Sequence, residues 1–232
     1  MKTDKLFLRF KNPNQKRCTA LTMGIGNETI MEENLQDFYP KCLFYGADPF
    51  SSVGEAFTKF GTYYPLAVDN ETGRQKLSVM VDSISMKYDW KEIETVALDE
   101  FLAKVGEPFL HFVSMDVEGS EYRLLPIMAE SDWSEDSHVI CQMTVELHGP
   151  IENYGISSAQ FDKLILNFVQ NSAFVPLHAF APGNHHRIFL FNSKSLQCLD
   201  LFDFTPPPLP SNQPEKPSGI YPRGPGVAHV VG

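Results

Sequence analysis

Blocks of apolar residues alternate along the chain with blocks in which apolar positions recur every three or four residues. Four apolar blocks have the length of buried strands: Cys18–Met23, Cys42–Tyr45, Phe109–Met115 and Val139–Leu147. Each precedes a stretch with helical spacing, and the first such stretch carries Ile30, Met31, Leu35 and Phe38 before Pro40 ends it. Strands that alternate with helices predict an α/β domain built on a mostly parallel sheet.

Three further patterns extend this domain. The run TYYPLAV at 62–68 and the run LSVMV at 77–81 flank the turn-rich sequence DNETG and predict a hairpin. A short helix is predicted after Thr95. Near the end of the domain, Phe174–His178 and Arg187–Asn192 predict a closing antiparallel hairpin.

Composition divides the chain into three parts. Residues 1–17, basic and polar with one apolar patch, predict a lead-in segment, and residues 18–204 predict the folded domain. Residues 205–232 hold eight of the seventeen prolines and few large apolar residues, so they predict a disordered or polyproline-like tail. The PPPLP run in this tail could dock in an aromatic groove of a partner protein, and a bare solvated tail is the alternative.

Charge and composition exclude some classes of partner. With 43% hydrophobic and 12% aromatic residues, the 232-residue chain can bury a substantial core. Its formal net charge of −10, with no basic cluster to offset it, argues against nucleic acid. No apolar run has the length of a membrane span and the N-terminal stretch is too charged for a signal peptide, so we expect a cytoplasmic protein. Sequons at Asn27 and Asn70 decide nothing about secretion, because such patterns often arise by chance.

The cysteines and histidines suggest no metal site. No CxxC spacing links the four cysteines, which predicts free, mostly buried thiols at Cys18, Cys42, Cys141 and Cys198. Three histidines lie in or beside one loop, where we expect water rather than a metal ion around them: His178, His185 and His186.

A glycine turn follows the first predicted strand and contains Gly24, Gly26 and Asn27. Residues without Cβ let the backbone approach a ligand closely, near a helix N-terminus. Asp48, followed by Pro49, lies 22 residues beyond Gly26, close to the spacing of about 20 at which an acidic residue bonds a ribose diol. The pattern predicts a nucleoside site, although a plain strand-to-helix turn looks the same and Asp48 could instead cap the next helix.

Carboxylates crowd the turn after Phe109–Met115. Asp116 ends this apolar strand, and Glu118 and Glu121 follow it in the sequence DVEGSE. Ligands of α/β proteins bind beyond the C-terminal ends of the strands, so we expect chemistry here, although the two glutamates could serve only the first turn of a helix. His148, at the end of the next strand, has the intrinsic pKa suited to accept a proton, but it could equally be a packed residue.

The sequences GIGNET, FYGADP, PLAVDNETG, TVALDEFL, SMDVEGSEYRLL and VELH together resemble the FkbM-type methyltransferase family, particularly its animal, nematode-rich branch. The resemblance covers roughly residues 18 to 192. It implies a Rossmann-like class I methyltransferase fold, with a seven-stranded mixed sheet and helices on both faces, and S-adenosylmethionine as cofactor. The implied reaction is O-methylation of a hydroxyl on a small-molecule or glycan-like acceptor.

The same resemblance implies roles for single residues. Gly24 and Gly26, beside Asn27, would line the methionine part of the cofactor. Asp48, beside Pro49, would hold the ribose, and Ala67 to Asp69 would lie near the adenine. Asp116 would face the reacting centre. The candidate catalytic residues are Asp116, Glu118, Glu121 and His148. Two alternatives stay open: a non-catalytic protein of this fold that binds the cofactor or a protein partner, and a Rossmann-type enzyme using another nucleotide. The absent third glycine argues against a dinucleotide.

Overall fold

The computed structural model describes residues 4–12, 14–15, 17–26, 29–82, 87–133, 138–150, 156–181, 185–204 and 227–231. The strands are β1 (Asp4–Leu8), β2 (Cys18–Met23), β3 (Cys42–Ala47), β4 (Thr62–Tyr64), β5 (Ala67–Asp69), β6 (Gly73–Asp82), β7 (Lys87–Ala97), β8 (Phe109–Met115), β9 (Val139–His148), β10 (Phe174–Phe180), β11 (His185–Asn192) and β12 (Val227–Val231). The helices are α1 (Ile30–Phe38), α2 (Ser51–Phe57), α3 (Leu98–Val105), α4 (Glu121–Glu130), α5 (Ser158–Asn171) and α6 (Leu196–Leu201).

Seven strands form the main sheet in the order β10-β11-β9-β8-β2-β3-β4. Strands β4, β3, β2, β8 and β9 are parallel, and β11 pairs antiparallel with both β9 and β10. This mixed sheet confirms the predicted Rossmann-like fold. In the sheet, β3 lies on one side of β2 and β8 lies on the other side. The strand order therefore reverses at β2, and a crevice opens between the C-terminal ends of β2 and β8.

Helices cover both faces of the sheet, as predicted. One core cluster packs α3, α4 and α5 on the sheet around Leu21, Val113 and Met143. The other joins β1, α1 and α6 to the opposite face around Phe112 and Phe191. The central strands are therefore buried on both sides, which explains why their sequences are continuous apolar runs. No helix within the described ranges is both long and apolar enough to cross a membrane.

The predicted hairpin of residues 62–68 with 77–81 is wrong. Tyr64 ends β4 and Ala67 begins β5, so the first run is divided between two sheets. Strand β6 pairs instead with β7, a strand that the sequence pattern did not reveal, and β5 runs parallel to β7 to complete a small three-stranded sheet. The sequence of β7 is rich in charged residues and mostly exposed, so it lacks the alternation that marks a half-buried strand.

The folded domain begins before Cys18, where its boundary was predicted. Phe7 of β1 is 0% exposed and packs edge-on against Phe112. The backbone amide of Leu8 donates to Gln142 Oε1 on β9 over 2.7 Å. At the other end of the chain, residues 227–231 form β12, which pairs antiparallel with β1, so this part of the predicted tail is a strand. The remainder of the tail, 205–226 and 232, lies outside the described residues.

The prediction of free thiols is wrong, because all four cysteines are paired in disulfides. Cys18 and Cys42 are register partners on the adjacent strands β2 and β3, and Cys141 of β9 is bonded to Cys198 of α6. The sequence separations are 24 and 57 residues, so only the topology of the sheet brings the partners together. The cysteines are buried, as predicted.

Candidate active site

A cleft with an empty volume of about 620 Å³, its opening to solvent included, lies at the crevice between β2 and β8. Most of the predicted site residues line it: Gly24, Gly26, Asp48, Pro49, Ala67, Asp116 and Glu118. Side chains of the β6–β7 hairpin close one wall, among them Leu77, Met80 and Tyr88. The β6–β7 hairpin, which the sequence pattern did not predict, therefore forms part of the site.

The glycine turn is held against the strand that carries Asp116. Gly24 has a φ of 77°, and a Cβ on it would lie 1.7 Å from the main-chain oxygen of Asp116. Glycine at this position thus serves the packing of the two strand ends rather than only a ligand. Gly26 has a φ of 63° and nothing within 4 Å of its would-be Cβ, so the open side of the turn is there. Asn27 lies outside the described residues.

Asp48 ties the glycine turn to the start of α2. Its Oδ2 accepts hydrogen bonds from the backbone amides of Ile25 and Gly26, each over 3.0 Å, and its Oδ1 accepts one from Phe50 over 2.7 Å. Burial raises the pKa of this carboxyl, and the amide hydrogen bonds oppose that rise. A carboxylate offers about four acceptor positions, and bonds from the described residues occupy three of them, which leaves one for a ligand hydroxyl as far as these residues are concerned.

Asp69, predicted near the adenine, is 0% exposed and does not line the cleft. Its carboxylate accepts from Arg123 Nε over 2.7 Å and from Arg123 Nη2, and Ser120 donates to it over 3.1 Å. This ion pair joins β5 to the first turn of α4. Asp69 therefore positions the acidic turn, and Ala67 and Val68 are the residues of β5 that border the cleft.

Glu121 organises the acidic turn from inside. Its side chain is 0% exposed, with Oε1 accepting from the Val117 amide over 2.9 Å and Oε2 from the Gly119 amide over 2.7 Å. Glu118 between these amides has a φ of 52°, a left-handed conformation that is uncommon for a residue with a side chain. The turn thus holds Glu118 outward, toward the cleft.

His148 lies among three carboxylates. Its Nε2 is 3.1 Å from Glu118 Oε2 and 3.9 Å from Asp116 Oδ1, while its Nδ1 is 3.3 Å from Glu121 Oε1. Burial lowers the pKa of His148, but its hydrogen bonds to Glu118 and Glu121 outweigh burial and raise that pKa to about 11. The structure therefore favours a charged imidazolium at neutral pH, which is not the proton acceptor that the sequence suggested.

Asp116 is the least satisfied carboxylate of the group. Its side chain is 30% exposed, yet Oδ1 is buried and accepts no hydrogen bond among the residues described. Burial, followed by the nearby charge of Glu146, raises the pKa of Asp116 to about 7. A carboxylate with that pKa exchanges a proton near neutrality.

The neighbouring strand end carries a further polar side chain, Glu146, which was not among the candidate catalytic residues. Glu146 of β9 binds His185 Nδ1 over 2.7 Å and Arg187 Nε over 2.8 Å. His185, expected to face water, thus has a carboxylate partner although 47% of its side chain is exposed. Two groups present metal-ligand atoms within 4.8 Å of one another: Glu146 with His148 and His185, and Asp116 with Glu121 and His148. That no metal takes part stays a prediction.

The chain is similar to a known protein family in sequence and to solved structures in fold. The sequence model of the methyltransferase FkbM domain matches residues 4–175. No curated protein sequence gives a significant match.

Three solved structures illustrate the likeness in fold. The Methanococcus jannaschii fibrillarin pre-rRNA processing protein is 8% identical, with 80% of this chain and 71% of that chain covered and a TM-score of 0.46. The precorrin-6y C5,15-methyltransferase of Geobacter metallireducens is 10% identical, with 76% and 81% covered and a TM-score of 0.39. An antibiotic-related methyltransferase is 12% identical, with 77% and 88% covered and a TM-score of 0.38. Likeness at this distance carries no conclusion about substrate.

Proposed function

The chain belongs to the methyltransferase FkbM domain family, and from this premise we propose that it is an S-adenosylmethionine-dependent methyltransferase that methylates a hydroxyl group. The proposed acceptor is a small molecule or a glycan-like compound. The observation that carries the proposal is Asp116, an incompletely hydrogen-bonded carboxylate that lines the cleft beside the glycine turn.

The cleft has features that fit a nucleoside cofactor. Gly26 leaves open space on the cleft side, and Asp48 keeps an acceptor position within reach of the same turn. In the proposal Asp48 binds the ribose hydroxyls, Gly24 and Gly26 lie along the methionine part, and Ala67 borders the adenine. Asp69 is left out of this assignment because Arg123 and Ser120 occupy its carboxylate.

When bound, S-adenosylmethionine supplies a methyl group on a sulfonium sulfur, which keeps the electron pair of the broken carbon–sulfur bond. Asp116 accepts the proton that the acceptor hydroxyl loses as its oxygen bonds to the methyl carbon. A carboxyl whose pKa is near 7 suits this transfer, because the efficiency of a general base is greatest when its pKa is close to the working pH. Alignment of the two reactants in the cleft can contribute roughly 7–11 kcal/mol.

His148 and the two glutamates support Asp116 in this proposal. The imidazolium of His148 lowers the pKa of Asp116 and so favours its ionised, proton-accepting form. Glu118 and Glu121 keep the imidazole charged through their hydrogen bonds. We therefore assign the proton transfer to Asp116 and the electrostatic tuning of Asp116 to His148.

The disulfides bear on the predicted cytoplasmic location. Two buried disulfides weigh against it, since the cytoplasm keeps thiols reduced. The tail as a binding segment for a protein partner stays a proposal, because its proline-rich part lies outside the described residues.

Thermal unfolding with and without ligand tests the proposal. S-adenosylmethionine, or its demethylated product, should raise the melting temperature, because a ligand of the native state stabilises it, and NAD should not. Incubation with methyl-labelled cofactor and fractionated hydroxyl compounds then tests turnover. Binding without turnover on any acceptor would favour the non-catalytic alternative, and stabilisation by NAD alone would overturn the cofactor assignment.

A further inference from the structure

The two disulfides bear on whether the Asn-X-Ser/Thr sequons at Asn27 and Asn70 can be glycosylated. Cys18, Cys141 and Cys198 are each at most 2% exposed, and Cys42 is 9% exposed. Reactive or catalytic cysteines need access to solvent, so these bonds are structural. Structural disulfides form and persist in oxidising compartments such as the lumen of the endoplasmic reticulum. Enzymes in that compartment attach glycans to asparagine in the pattern Asn-X-Ser/Thr.

One of the two sequons lies on a surface turn whose residues do not line the cleft. Asn70-Glu71-Thr72 connects β5 to β6 of the small sheet, where Asn70 is half-buried and both Glu71 and Thr72 are exposed. The Oδ1 atom of Asn70 is buried, whereas glycosylation joins the sugar to the other amide atom, Nδ2.

The surroundings of Asn70 leave room for a glycan. The residue borders an open groove with an empty volume of about 790 Å³. Asp99, Ser131 and His138 supply polar groups to the walls of this groove. From these observations we infer that Asn70 is a site of N-linked glycosylation and that the protein matures in an oxidising secretory compartment.

Asn27, the asparagine of the other sequon, directly follows Gly26, which lines the proposed cofactor cleft, and lies outside the described residues, so no glycan is assigned to it. The assignment of Asn70 is independent of the proposed methyl transfer.

The test uses the full chain secreted from insect cells behind an added signal peptide. The protein is treated with peptide N-glycosidase F in ¹⁸O-labelled water, which converts a glycosylated asparagine into a mass-labelled aspartate. Peptide mass spectrometry should find the label at Asn70. The Asn70→Gln variant should lose the corresponding shift in gel mobility, whereas Thr72→Ser, which keeps the sequon and a hydroxyl, should retain it.

Thiol accessibility is measured on the same samples. Protection of all four cysteines from alkylation in urea until a reductant is added would support the disulfides on which the inference rests, and a labelled Asn70 would support the glycosylation site. Secreted protein with four protected cysteines and an unlabelled Asn70 would overturn the glycosylation site. Cysteines that react with the alkylating reagent before reduction would overturn the premise as well.

Discussion

The proposed chemistry depends at the residue scale on the ionisation of Asp116. Its pKa near 7 predicts that turnover rises with pH through neutrality as the carboxyl loses its proton. Asp116→Asn should abolish methyl transfer, because an amide is not a useful base. Initial rates between pH 5 and pH 9 on an identified acceptor measure this, and full turnover by the variant would remove Asp116 from the chemistry.

The same shift predicts an effect on stability that needs no substrate. An unfolded aspartate has a pKa of about 3.9, so between roughly pH 4 and pH 7 the folded protein holds a proton that the unfolded chain has lost. The wild-type free energy of unfolding should therefore fall as pH rises through this window. The Asp116→Asn variant has no carboxyl to titrate at this position, so its free energy of unfolding should not show this fall. Urea unfolding should therefore find that the stability of the variant relative to the wild type increases from pH 5 to pH 8.

His148 is expected to shift the pH profile rather than create it. Its charge lowers the pKa of Asp116, so His148→Gln should move the midpoint of the rate profile to higher pH while leaving the profile in place. If His148 itself accepted the proton, the variant would lose roughly 10²–10⁴ in rate and the pH dependence near neutrality as well. The two outcomes separate an electrostatic partner from a base.

Asp48 is expected to matter for stability as well as binding. Asp48→Ala leaves the amides of Ile25, Gly26 and Phe50 without their acceptor, which should lower the free energy of unfolding by about 1–3 kcal/mol. Calorimetry should also show weaker binding of S-adenosylmethionine. Asp99→Ala, which changes an exposed acid on α3, is the matched control. Unchanged affinity in Asp48→Ala would restrict the carboxylate to its structural bonds.

Sequence patterns located some of these residues and missed their partners for a physical reason. Asp116 could be found because a carboxylate at the end of an apolar strand is locally conspicuous. The ion pair of Asp69 with Arg123 joins residues 54 positions apart, and nothing in either local sequence announces it. Glu146 with Arg187 is the same case, at a separation of 41. Side-chain pairing across elements follows from the topology, which local periodicity does not contain.

At the scale of elements, buried strands were predicted well and exposed ones were not. The bounds of β2 and β8 agree with the apolar runs Cys18–Met23 and Phe109–Met115, because strands covered on both faces must be apolar throughout. Strand β7 is not under this constraint, because it is stabilised by backbone hydrogen bonds to β6 and β5. Backbone pairing does not require particular side chains, so the sequence of β7 does not reveal the strand.

The N-terminal strand provides a direct test of where the domain begins. Phe7→Ala should lower the free energy of unfolding by about 3–5 kcal/mol, because Phe7 is fully buried against the main sheet. Leu196→Ala is the control, since Leu196 is 73% exposed and its loss should change stability by no more than about 0.5 kcal/mol. Equal, small effects of the two substitutions would show that β1 is a dispensable lead-in.

The whole molecule is joined by connections between segments that are distant in sequence. The two disulfides, the pairing of β1 with β12 and the packing of Phe10 on Phe202 all join such segments. Each is invisible to local sequence patterns, which predicted a lead-in segment for the first 17 residues and free, buried thiols for the cysteines. The loops that the disulfides close determine how much stability they can add.

The disulfide from Cys141 to Cys198 should contribute the larger share. Closing a loop of 57 residues removes unfolded-state entropy worth about 4 kcal/mol, against about 3.5 kcal/mol for the 24-residue loop of Cys18 and Cys42. Changing Cys141 and Cys198 together to alanine should lower the free energy of unfolding in urea by about that first amount. Adding dithiothreitol to partly unfolded wild type reduces both disulfides and should produce a larger fall, whereas a variant lacking all four cysteines should not respond to it. Two results together would show that the cysteines are unpaired. The free energy of unfolding of the wild type would not change with dithiothreitol, and all four thiols would be labelled after urea unfolding without reductant.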